Sequence, residues 1–157
     1  MSNDIKSWDV FISHAQADQP LAEYLYRHLT QEGISVYLAS VSMPPGEHWQ
    51  QSILNSLRSS TWVICLASKA AIESRWVMQE MGVAIGANKK LVPIIWDVQP
   101  DALPGWMQQY QAVNLGKASQ EDAKAAIVRI ADAIKSEKQK GLVILGLIVA
   151  GLMIFGK

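Results

Sequence analysis

The sequence has little cysteine, little histidine and no net charge, and each shortage removes a class of function. A single cysteine, Cys65, among 157 residues excludes an intramolecular disulfide and fits a reducing compartment. It lies inside the apolar run Trp62-Val-Ile-Cys-Leu66, so it is expected to be a small core residue. The histidines His14, His28 and His48 stand apart from one another and from Cys65, so no metal site is expected. Lys+Arg and Asp+Glu number 14 each, and without a basic surplus nothing argues for a nucleic-acid partner. Internal repeats and low-complexity segments are missing. The N-terminus, Met-Ser-Asn-Asp-Ile-Lys, is polar and does not read as a signal peptide. The length suits one domain with a proper core, plus an appendage.

What is present is an alternation of strand-like and helix-like segments. Trp8-Asp-Val-Phe-Ile12 reads as a strand and is followed by a loop from Ser13 to Asp18. Asp18 is the expected N-cap of a helix with Pro20 in its first turn and a Leu21, Leu25, Leu29 stripe, closed by Gly33. Ile34 to Leu38 is the second strand, and the Pro-Pro-Gly-containing stretch Ala39 to Glu47 is a loop. Trp49, Ile53, Leu54 and Leu57 mark the next helix. Thr61 to Ala67 is apolar throughout, as expected of a strand covered on both faces. Ser68 to Glu73 is a loop, and Ser74 caps a helix carrying Trp76, Glu80, Ala84 and Ile85. Leu91 to Trp96 is the fourth strand, despite Pro93. Gln111 to Leu115 is a short fifth strand. Ser119-Gln-Glu-Asp122 is a capping signature ahead of Ala123, Ile127, Ile130 and Ile134 at helical spacing.

This alternation predicts an α/β fold, a parallel sheet with helices on both faces. In such sheets ligands bind outside the carboxyl ends of the strands. The loops at 13–18, 39–47 and 68–73 all follow strands and share that edge. Trp76 and Glu80, four residues apart, share a helix face there. An indole beside a carboxylate suits a site that holds a ring and stabilises positive charge.

Trp8-Asp-Val-Phe-Ile-Ser-His14, the Pro45-Gly46 loop before Trp49, and Ser68…Ser74-Arg-Trp76…Glu80 together resemble the Toll/interleukin-1 receptor (TIR) domain, most closely its bacterial members, over roughly residues 6–136. The resemblance implies a flavodoxin-like three-layer fold with a five-stranded parallel sheet. It also implies cleavage of NAD+ at the nicotinamide–ribose bond, by hydrolysis or cyclisation, or else a catalytically silent adaptor acting by homotypic domain association. Glu80 matches the catalytic glutamate and Trp76 the tryptophan of a Trp-x-x-x-Glu signature. Phe11, Ser13 and His14 match the loop beside the nucleotide. Pro45 and Gly46 match a mobile loop that packs on a neighbouring subunit. Ala39 and Ser40 stand where an acidic residue is frequent in the family, and Ala15-Gln16 where basic ones are. Nicotinamide leaves as a neutral molecule from a cationic ring, and the ribose becomes oxocarbenium-like, as in glycoside hydrolysis. One fixed carboxylate can stabilise that charge. NAD+ is then a substrate, and no metal or bound cofactor is required.

The stretch Gly141 to Gly156 contains no charged or polar side chain and is bounded by Lys138, Lys140 and Lys157. Its 16 residues would span roughly 24 Å as a helix, against a hydrocarbon core of about 30 Å. Being apolar on every face, such a helix could not dock on the domain without exposing its other side. The expected organisation is a TIR domain at 1–136, a basic linker at 137–140 and a transmembrane tail anchor at 141–157. Lys135, Lys138 and Lys140 would keep the domain cytoplasmic, at the cell inner membrane of a single-pass protein. Anchoring would raise the effective concentration of domains that self-associate. A role in bacterial, anti-phage defence is implied by the resemblance alone.

Overall fold

The computed structural model describes residues 6–43, 45–46 and 48–149. Five parallel strands form one sheet in the order β2-β1-β3-β4-β5: β1 (Trp8–Ser13), β2 (Val36–Tyr37), β3 (Ser60–Leu66), β4 (Lys90–Ile95) and β5 (Val113–Asn114). Helices α1 (Gln19–Gln31), α2 (Ala39–Ser42), α3 (Trp49–Arg58), α4 (Lys69–Ile72), α5 (Arg75–Gly86) and α6 (Gln120–Val149) alternate with them. The parallel α/β sheet expected from the alternation, with the five strands that the resemblance implied, is therefore present.

Side-chain alternation along the strands divides the core into two layers. Val10 and Ile12 of β1, Ile64 and Leu66 of β3, and Ile94 of β4 meet Leu25 and Leu29 of α1 and Ile127, Ile130 and Ile134 of α6. The intervening residues Phe11, Val63, Cys65 and Ile95 face the other way, onto Ile53 and Leu57 of α3 and Val77, Met81 and Ala84 of α5. Pro93 is accommodated in β4 by its direction. The Ile94 carbonyl accepts from Ala67 N, so Ile94 faces β3 and the Pro93 nitrogen faces the β5 side. Pairing with β5 begins only at Ile94↔Val113, and no ladder donor is lost there.

Several local expectations are corrected. The second strand is shorter than Ile34–Leu38, and at its start side chains add to the backbone bonds that Asp9 N and Val10 N donate to Ser35 O, each at 3.0 Å. Asp9 N donates to Ser35 Oγ and Ser35 N to Asp9 Oδ2, each at 2.9 Å. At the other end Leu38 N donates to Ser42 Oγ at 3.1 Å, and the chain enters α2 instead of the continuous loop expected from Ala39 to Glu47. Pro44 and Glu47 of that stretch lie outside the described residues. The loop expected at 68–73 contains α4, because Ser68 Oγ accepts from Ala71 N at 3.1 Å and caps a helical turn. The fifth strand is only two residues long, ended by Asn114 Oδ1 accepting from Gly116 N. Gly33, at φ +81°, closes α1 as expected. The capping signature at 119–122 is present, with Asp122 N donating to Ser119 Oγ at 3.1 Å.

Residues 137–140 are not a break in the chain but part of α6. Ion pairs at the end of its docked portion hold it to the body: Lys135 to Glu32 at 2.8 Å, Lys138 to Asp9 at 3.3 Å, and Glu137 to Lys90. Two of the lysines expected to flank a membrane thus bind the domain's own carboxylates. Among the described residues no helix is long and apolar enough to cross a membrane. Residues 150–157 of the expected tail anchor, like the N-terminal 1–5, lie outside the described residues.

Candidate active site

The site is built where the α5 layer reaches the carboxyl ends of β1 and β3. Ser13 ends β1 and pairs in register with Cys65 of β3, so both side chains emerge on the same face beneath α5. Ser74 starts α5 by accepting from Val77 N at 3.2 Å, which sets the phase of the helix. Val77, Glu80, Met81 and Ala84 are its buried residues, at the i, i+3, i+4, i+7 spacing of a core-facing stripe. Glu80 therefore points into the sheet from a position that local periodicity reserves for apolar residues.

Glu80 is only 4% exposed, and Ser13 Oγ donates to its Oε1 at 2.9 Å. Burial pushes the Glu80 carboxyl from the ordinary 4.5 up to about 8, and the Ser13 hydrogen bond pulls part of the way back. Cys65, fully buried alongside, has its thiol pushed far above the ordinary range by burial first and by the Glu80 charge second. It is a core thiol, as expected, and not an activated nucleophile.

The other expected site residues differ in burial. Trp76 lies half-buried one turn before Glu80 and meets Trp49 edge-to-face, with ring centroids 4.9 Å apart. Trp49 is 48% exposed, so the aromatic wall expected from Trp76 alone consists of two indoles. Spacing along one helix could not have revealed the second, which comes from α3. Phe11 is 1% exposed and stacks on Tyr37 at 5.3 Å, part of the core beside the site. Its place in β1 turns it inward between the strand and α3. Ser13 is buried too and acts on Glu80. His14 is half-buried at the crevice, with Nε2 2.8 Å from Gln19 Oε1. Pro45 and Gly46 are exposed in the turn before α3, where Gly46 adopts φ +81°, a left-handed geometry that favours glycine.

A further interaction ties two of the loops together. The Ser68 hydroxyl donates a short hydrogen bond to the Asp18 carboxylate. Asp18 was the expected N-cap of α1, yet its side chain caps nothing there. It has been diverted across the crevice to Ser68, linking the loop after β1 to the loop after β3. Lys69 N in turn donates to Asp97 Oδ1 at 3.0 Å, extending the tie to the end of β4.

Glu80 is consequently enclosed. Open clefts occur elsewhere on the described surface: one of about 460 Å³ between α6 and the β5 edge, lined by residues including Trp62, Val113 and Arg129. Another, of about 700 Å³, is lined by Trp96, Asp97, Asn114 and Lys117. Glu80 lines neither. Among the described residues no group of three His, Cys, Asp or Glu is arranged to hold a metal ion. The arrangement is a neutral, hydrogen-bonded carboxyl behind an indole pair, poised to become an anion when a positive charge arrives beside it.

The family profile described as "TIR domain" matches residues 10–131. A probable 2' cyclic ADP-D-ribose synthase, BdTIR, from Brachypodium distachyon is 29% identical over 98 residues, which covers 61% of this chain and 44% of that protein. The NAD(+) hydrolase TcpA from Theionarchaea archaeon (strain DG-70-1) is 28% identical over 96 residues, 57% of this chain and 28% of that protein. The chain thus spans less than half the length of either relative. In three dimensions it is similar to the crystal structure of the TIR domain of the Toll-related receptor TRR-2 from Hydra magnipapillata, with a TM-score of 0.68 and 18% identity. That match covers 82% of this chain and 99% of the other. At that identity the likeness shows the fold alone.

Proposed function

The chain belongs to the TIR domain family, and from that membership and the seating of Glu80 we propose that it cleaves NAD+ between nicotinamide and ribose. The observation that carries the proposal is the buried Ser13–Glu80 pair at the carboxyl ends of β1 and β3. A buried carboxyl with a strongly raised pKa, on the ligand-binding edge of an α/β sheet, is a site candidate on physical grounds. Relatives named as a cyclic ADP-ribose synthase and an NAD+ hydrolase support the substrate class.

In this reading burial keeps Glu80 neutral before the substrate arrives. The cationic nicotinamide ring, brought alongside, favours the ionised carboxylate, and Ser13 holds its Oε1 in place. As the glycosidic bond lengthens, positive charge moves onto the ribose, where the carboxylate stabilises it without reorganisation. Nicotinamide departs neutral, so no general acid is required. Water or a substrate hydroxyl then captures the ribosyl cation and gives its proton to the Glu80 carboxylate, yielding ADP-ribose or a cyclic variant. Trp76, braced edge-to-face by Trp49, supplies an aromatic surface for a ring.

The enclosure of Glu80 supports activation by assembly: a neighbour packing through the exposed Pro45-Gly46 turn would open and complete the site. The apolar stretch 141–156 supports a membrane anchor that concentrates the domains at the bacterial inner membrane, with the TIR domain cytoplasmic; a role in anti-phage defence rests on the family resemblance. The competing reading, a catalytically silent adaptor, draws on the same closure of the site.

The deciding measurement is NAD+ consumption by the full chain, dilute and forced into clusters, with products identified by mass spectrometry. Clustered wild type is expected to exceed Glu80→Ala by about 100-fold or more. Equal, background turnover by the two proteins would leave the adaptor reading standing. For the anchor, full-length protein released from membranes by a carbonate wash would refute a spanning tail.

A further inference from the structure

The first residue of α1 joins two of the loops at the crevice through one amide. Gln19 Oε1 lies 2.8 Å from His14 Nε2. Gln19 Nε2 lies 3.0 Å from Glu23 Oε1 and 2.6 Å from Ser40 Oγ. The amide oxygen and nitrogen are nearly alike in size, so their assignment has to come from the neighbours' chemistry. An ionised Glu23 carboxylate only accepts. It must therefore face the amide N–H2, which leaves the amide oxygen toward His14. Glu23 is four residues on along the same helix, and that spacing holds it beside Gln19. Ser40 Oγ accepts the second N–H, so the amide has no spare donor to offer the imidazole.

An oxygen 2.8 Å from His14 Nε2 requires a hydrogen on that nitrogen. A neutral imidazole carries only one N–H, so Nδ1 is left as an acceptor. The carboxylate thus orients the amide, and the amide selects the histidine tautomer. His14 follows directly on Ser13, the residue that holds Glu80.

We propose that Gln19 and Glu23 are positioning residues that hold neutral His14 in its Nε2–H form, presenting Nδ1 to a hydrogen-bond donor of the substrate. Among the groups of a dinucleotide that means a ribose hydroxyl, the carboxamide N–H or the adenine amine, not the pyrophosphate, which has no hydrogen to give at neutral pH. The substrate half of this inference rests on the NAD+ reading; the tautomer half does not. Ser40 sits on α2, so the same amide also ties the loop after β2 to α1.

Nitrogen-15 NMR of the imidazole in the full-length chain separates the two halves, with the His14 signals identified by their loss in His14→Gln. At alkaline pH, where the imidazole is neutral, wild type is expected to show a protonated Nε2 and a bare Nδ1. Glu23→Gln can donate as well as accept, so it frees the amide to turn; it and Gln19→Leu are each expected to give a mixture of tautomers. Ser40→Ala is expected to keep the wild-type form. In clustered protein, Glu23→Gln and Gln19→Leu are expected to raise KM for NAD+ by roughly three- to tenfold, the effect of losing one oriented hydrogen bond. Their kcat should change by less than about twofold, as for an interaction made equally in ground and transition states. A wild-type Nδ1–H form, or a tautomer unmoved by Glu23→Gln, overturns the positioning role. A tautomer that shifts while KM stays constant overturns the substrate contact. Absence of NAD+ turnover in wild type would refute the functional reading, while the NMR result still decides the role of Gln19 and Glu23.

Discussion

The two faces of the sheet are packed from the same kinds of elements but filled differently. The α1/α6 face is a continuous aliphatic layer, Val10, Ile12, Leu25, Leu29, Ile64, Leu66 and Ile130 among its members, with its ion pairs kept at the rim. The α3/α5 face is interrupted by groups that do not belong in oil, Ser13 and Glu80, bordered by Tyr37, Cys65, Trp76 and Trp49. Burying Glu80 costs free energy that, among the described residues, the hydrogen bond from Ser13 offsets in part. A sheet of this kind can be stabilised on one face while the other carries a group kept out of its preferred ionisation state. That division of labour is the signature of a site.

The comparison can be tested most severely by pH. Between the ordinary 4.5 and about 8, the folded chain retains a proton on Glu80 that the unfolded chain has released. Its contribution to stability is complete below 4.5 and is lost as pH rises toward 8. Relative to Glu80→Gln, which cannot ionise, wild type should lose on the order of 4 kcal/mol across that window. Denaturant titrations of both proteins at several pH values measure the difference; parallel curves would mean that Glu80 is not buried as described. On the aliphatic face the effect should be blind to pH. Leu29→Ala, at a fully buried position, is expected to cost about 3 kcal/mol at every pH, with turnover per folded molecule unchanged.

Ser13→Ala removes the only influence that lowers the Glu80 pKa. It should move the midpoint of the pH-dependent stability loss upward by about one unit, the scale of a single hydrogen bond. A downward shift would assign Ser13 the opposite role. The smallest effect belongs at the rim. Lys135→Ala breaks the exposed pair with Glu32 and is expected to leave stability almost unchanged, less affected still in high salt. A large loss there would mean that α6 depends on its rim contacts more than on Ile127, Ile130 and Ile134.

Much of this was legible along the chain. The Leu21, Leu25, Leu29 stripe, the apolar run through Cys65 and the capping signature at Ser119 each mark their element within a few residues, because helix and strand periods are local. Glu80 was legible as well. It interrupts the apolar stripe of α5, and a charge at a stripe position signals either a solvated face or a buried group with a purpose. The misreadings have a common cause. Asp18 looks like an N-cap because aspartate usually is one before a helix, but Ser68, 50 residues away, competes for the carboxylate and wins it. Ala39 to Ser42 looks like loop, yet Ser42 satisfies Leu38 N and makes a turn of helix worthwhile.

The sequence alone determined which segments are strands and helices, where the binding edge falls, and that Trp76 and Glu80 share one side of α5. Periodicity of 2 or 3.6 residues and side-chain chemistry at caps act between near neighbours, so a linear reading captures them. Only the tertiary structure decided that Glu80 is enclosed, that Ser13, 67 residues earlier, is its partner, and that Trp49 completes the wall beside Trp76. Desolvation is the summed effect of every element that excludes water from one point, and a hydrogen bond across the sheet depends on register. Neither quantity exists until distant parts of the chain are brought together.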